Sequence, residues 1–161
     1  MKTAWESELA KFLTDLSAVQ AESLAVLSRK RELLVAADAQ GLSEIGKHEA
    51  ALIERLGDCL KRRQQLLGWA ADDGLPSDSI RALSAALPSP QRRQTAGQID
   101  ESARRARLLA HHSLTNWVLV QRTLIHLSQM LELIATGGRL KPTYEKGKSI
   151  EATGALVDQV V

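Results

Sequence analysis

One cysteine, Cys59, occurs in 161 residues, so no disulfide can form within the chain and a reducing compartment is expected. Aromatic side chains make up only 3%, which leaves few groups on which nucleic-acid bases could stack. No stretch alternates apolar and polar residues as a half-buried strand does. The longest apolar run, Leu114 to Leu133, is interrupted by Asn116, Gln121, Arg122, His126, Gln129 and Glu132. That is too polar to span a bilayer, so no membrane insertion is expected. The opening residues, Met1 to Glu8, contain no apolar core of the signal-peptide type. Neither sign of charge dominates: the formal net charge is +2, so no strong field directs the chain to nucleic acid or a membrane surface. A cytoplasmic protein is expected.

What remains is helix-forming composition, rich in Ala, Leu, Gln, Arg and Glu. Thr3 with Glu6 is a capping-box signature. It opens a first helix with Trp5, Leu9, Phe12, Leu16 and Val19, then Leu24, Leu27 and Leu34, the register breaking after Val19. Gly41 reads as its C′ residue and Ser43 as the next cap. The second helix carries Ile45, Leu52, Leu56, Cys59 and Leu66, flanked by Ile53, Leu60 and Leu67. The tight connection makes the two antiparallel neighbours. Asp72-Asp73-Gly74-Leu75-Pro76 ends the second helix, and Ser77 to Leu87 reads as a short one. Ser89-Pro90 then restarts the chain as N-cap and first helical residue.

The long helix that follows has apolar or small residues at alternating steps of four and three: Ile99, Ala103, Ala106, Ala110, Ser113, Trp117, Val120, Leu124, Leu127, Leu131 and Ile134. A repeat averaging 3.5 keeps one stripe toward a partner helix, as in a coiled coil. Such a helix is roughly 54 Å long and cannot bury its stripe alone. Its second half is wide: Leu114, Val118 and Ile125 repeat the stripe one residue later. A face this broad either takes two neighbours within the bundle or leaves a groove for a partner. Thr136-Gly137-Gly138 stops the helix. The fold expected is all-α: an elongated antiparallel bundle of three long helices and one short one over 1–138, then a flexible tail over 139–161. In that tail Ile150, Val157 and Val161 fall on one side of a short helix that could fold over a bound partner.

Chemical motifs are weak. Pro142 to Ser149 resembles a phosphate-binding loop, but Pro142 stands where glycine is required and no strand precedes it. His48, His111, His112 and His126 have no metal-ligand spacing. Cys59 lies on the second helix's stripe and reads as a buried, inert thiol. No catalytic residues, metal or cofactor are expected. The basic clusters Lys61-Arg62-Arg63, Arg92-Arg93 and Arg104-Arg105-x-Arg107 read as solvated helix faces rather than a nucleic-acid surface. A structural homodimeric coiled coil, or less readily a nucleic-acid-binding regulator, remains an alternative.

Several segments resemble one family. Glu22-Ser23-Leu24-x-x-Leu27 lies on the first helix and Lys47-His48-Glu49-Ala50-Ala51-Leu52-Ile53 on the second. Leu114-Thr115-Asn116-Trp117-Val118-Leu119 precedes a leucine-rich half, and Thr143-Tyr144-Glu145-Lys146-Gly147-Lys148-Ser149 precedes a short tail. In order and spacing this is similar to the FlgN family of flagellar type III export chaperones. The resemblance implies a cytosolic helical chaperone without ATPase activity. It would bind the C-terminal helical regions of the two hook–filament junction proteins, prevent premature assembly, and deliver them to the export gate and the export ATPase complex. It implies substrate contacts in the C-terminal half, here Leu114, Asn116, Val118 and Ile125 with the tail's Ile150, Val157 and Val161. Tyr144 matches the family's gate-contacting tyrosine, although Glu145 follows where glycine is frequent. Trp117, on the stripe itself, is expected in the core. Whether the free protein forms a homodimer is left open.

Overall fold

The computed structural model describes residues 2–138, with side chains from residue 4 onward. The expected tail, with Tyr144, Ile150, Val157 and Val161, lies outside the described residues. Four helices follow in order: α1 (Lys2–Val35), α2 (Ala39–Asp72), α3 (Ile80–Ser84) and α4 (Ser89–Thr136). No strand occurs among the described residues, and no helix is long and apolar enough to cross a membrane. The chain divides into two compact units, Met1–Leu124 and Ile125–Val161.

In the first unit α1 and α2 form an antiparallel hairpin. Lys30 pairs with Glu49, Glu22 with Arg55, and Asp15 with Arg62, so one helix descends as the other rises. The core between them joins Leu9, Phe12, Leu13, Val19 and Val26 of α1 to Leu52, Cys59 and Leu66 of α2. The last three are seven residues apart, the spacing that holds one helix face on a neighbour. Each large buried aliphatic contributes about 1.5–3 kcal/mol. Ile80 and Leu87 close one end of this core, and Ile99 of α4 packs against it.

The expected break after Val19 does not occur. The inward column of α1 continues through Ser23, Val26, Lys30 and Leu33. Apolar pattern alone hides this, because Ser23 is a buried polar residue and Lys30 reaches out to Glu49 at 2.7 Å.

The turns differ from expectation in who does what. Ala37 (φ 54°), not Gly41, takes the left-handed position after α1. The Asp38 amide donates to the Leu33 carbonyl and the Ala37 amide to Leu34, a Schellman closure. Asp38, not Ser43, caps α2, its carboxylate accepting from the Gly41 amide at 2.9 Å. Gly41 is instead a point of close approach: a Cβ there would stand 2.6 Å from Leu33 Cδ2. Gly74 ends α2 and Gly137 ends α4 in the same left-handed way. Ser79, two residues after the expected helix start at Ser77, caps α3 by accepting from the Ala82 amide at 3.0 Å. Tight turns carry the chain from α3 to Leu87.

Candidate functional site

Polar bonds set the rotation of α4 within the first unit. Gln20 donates to the Ser102 carbonyl at 3.1 Å, Arg105 donates to Ser17, and Asn116 Nδ2 donates to the Leu27 carbonyl at 2.8 Å. Arg31 donates to His112 Nδ1 at 3.2 Å, since a guanidinium has no acceptor. Ser17 and Gln20 thus meet Arg105 and Ser102, while Leu27 and Arg31 meet Asn116 and His112. This segment of α4 therefore runs parallel to α1.

The residues turned inward are Ser102, Arg105, Leu109, His112 and Asn116. Each stands one position before a member of the predicted stripe, a rotation of about 100°. The stripe itself, Ala103, Ala106, Ala110, Ser113 and Trp117, is exposed. Trp117, expected in the core, is 57% exposed. The seam is costly in one respect: Gln20 Oε1, Ser23 Oγ, Arg31 Nε and Asn116 Oδ1 are buried with no hydrogen-bond partner among the described residues.

The predicted contact residues therefore separate. Leu114 is 61% exposed, and Val118 also reaches solvent. Asn116, expected among the partner contacts, is only 3% exposed and bound to α1. Its bond to Leu27 is one of those that set the rotation of α4. In the second unit Ile125, Leu127, Leu131 and Ile134 are exposed large apolar residues. Tyr144, Ile150, Val157 and Val161 lie outside the described residues.

A second apolar surface lies on α2, outside the stripe expected from the sequence. Ile53 and Leu60 of α2 are 64% and 55% exposed. The signal was present: Leu52-Ile53, Cys59-Leu60 and Leu66-Leu67 are doublets seven residues apart, the first of each buried; of the second, Leu67 packs on the core while Ile53 and Leu60 face solvent. Beside Ile53 a cavity of about 330 Å³ is lined by Val26, Leu52, Leu56, Leu109, Ala110 and Ser113. Ser23, with its unpartnered hydroxyl, lines it too.

Titratable groups serve the hairpin. The hydrogen bond from Arg55 holds the Glu22 carboxyl below its ordinary range, and that from Lys11 does the same for Glu8. Burial pushes the Cys59 thiol up, which keeps it protonated and unreactive. Of the basic clusters, Lys61, Arg62, Arg104 and Arg105 are engaged in ion pairs. No group of three or more potential metal ligands occurs among the described residues.

A family model described as FlgN protein matches residues 1–151. No curated protein matches the chain, and no solved structure does.

Proposed function

This chain belongs to the FlgN family, a family of flagellar export chaperones, and on that premise we propose that it binds the C-terminal helical regions of the hook–filament junction proteins in the cytoplasm. It keeps them from assembling early and hands them to the flagellar type III export gate and its ATPase complex. The observation that carries this reading is the exposed apolar face of α4, with Leu114, Trp117 and Val118 in the first unit. Ile125 and its neighbours offer the same chemistry in the second. An amphipathic helix laid on such a face buries its own apolar side and is masked from self-assembly.

Asn116 contributes from beneath, by holding the rotation that presents Leu114 and Val118. Ile150, Val157 and Val161 add contacts from the tail. Tyr144 serves delivery and not capture. Ordering a tail on a partner costs on the order of 1–2 kcal/mol per backbone residue, so moderate affinity is expected, as release requires.

The test is a pull-down with purified junction proteins, followed by titration calorimetry. Val118→Asp is expected to weaken binding at least tenfold with helicity unchanged. Tyr144→Ala is expected to bind normally and to lower export in cells. A tight dimer that ignores both junction proteins would favour a structural coiled coil instead.

A further inference from the structure

The exposed Ile53 and Leu60 of α2 lie outside the face just proposed, and the geometry there has a definite shape. The small residues Ala110 and Ser113 of α4 leave backbone-close space, and the cavity of about 330 Å³ opens between them and the α2 wall. Helix α1 packs on α2 and is bonded to α4, so three sides of a four-helix arrangement are present. The buried Ser23 hydroxyl, 7% exposed as a residue and unpartnered, borders the cavity. Polar groups buried to this degree are normally satisfied.

We infer that the groove between α2 and α4 receives a helix of the partner protein, which completes a four-helix layer with large aliphatic side chains inward and acidic side chains at its flanks. This rests on the chaperone reading above and gives the partner a second seat, beside the α4 face. Charge selects the occupant: the one acidic side chain that lines the cavity, Glu49, is already paired with Lys30. Arg63, on the α2 column between Leu60 and Leu67, and Arg107, between Ala103 and Ala110 on α4, have no ion-pair partner among the described residues. From Ser102 to Leu131 the chain contains no acidic residue. A second copy would bring the same cationic α4 against the groove. Residues 139–161 hold four basic and three acidic side chains, so they offer no acidic excess. An acidic, leucine-rich helix from another protein answers both the cavity and the cations.

The test uses the full chain with a benzophenone amino acid in place of Ile53, irradiated alone and with a purified junction protein. The expected result is a crosslink to a helical segment of the junction protein. Ile53→Asp and Ala110→Phe are each expected to weaken its binding tenfold or more, with circular dichroism unchanged. If the unaltered chain binds but no such crosslink forms and both variants bind within twofold, the groove assignment fails while the chaperone reading stands. A crosslink to residues 139–161 or to a second copy also overturns the assignment. Failure of the unaltered chain to bind any junction protein removes both.

Discussion

Ala37 holds φ at 54°, a conformation that costs an L-residue roughly 1–2 kcal/mol. Glycine removes that cost and adds some unfolded-state entropy, worth roughly 0.5–1 kcal/mol. Ala37→Gly is therefore expected to stabilise the protein by about 0.5 to 1 kcal/mol, read as a higher urea midpoint with unchanged slope. Four residues on, the sign reverses. Alanine at Gly41 gains about 1 kcal/mol of helix propensity. Its methyl, however, meets Leu33 Cδ2 at 2.6 Å and Asp38 Oδ2 at 2.7 Å. Losing the Asp38 cap costs about 1 kcal/mol and displacing the buried Leu33 about 1–3. Gly41→Ala is expected to lower stability by about 1–3 kcal/mol in the same measurement. Gly41 was legible as a special position, but not its role, because an alanine in the left-handed region leaves no mark in sequence.

Within α1 and α2, acid sensitivity follows from two carboxylates. Glu8 and Glu22 have pKa values below the ordinary 4.5 in the folded chain. Their contribution is complete above that value and is lost as pH falls through the lower folded values. The melting temperature is expected to be insensitive to these groups from neutrality down to about pH 5, then to fall, and Glu22→Gln to make the fall shallower. Both carboxylates are exposed, so the effect is modest. Ser23 gives a second prediction. Its hydroxyl is buried without a partner, so Ser23→Ala is expected to raise the stability of the free chain by about 1 kcal/mol, read by thermal melts. The apolar pattern shows a register break in the column of Ser23 because a buried serine carries no apolar signal. The heptad of Leu52, Cys59 and Leu66 was legible for the opposite reason: every member is apolar.

The order of three long helices and one short one was legible, since 3.5-residue periodicity and the stops at Gly74 and Gly137 both survive in the fold. The facing of α4 was not. Its inward column, Ser102, Arg105, His112 and Asn116, looks like surface, while its apolar stripe looks like core. A hydrophobic pattern reports that a face is covered, not whether the cover belongs to the same chain. The core cluster and the hydrophobics packed on it run from Trp5 to Ile99. Among the described residues, all of this core lies in the first unit. A chain ending at Gly138 is therefore expected to keep its helical circular dichroism and to melt within a few degrees of the full protein, about what a loss under 1 kcal/mol allows. The same chain is expected to bind junction protein more weakly, because it loses Ile150, Val157 and Val161 while keeping the α4 face. If truncation instead unfolds residues 1–138, those last residues belong to the core and the exposed face on α4 is their seat, not a partner's.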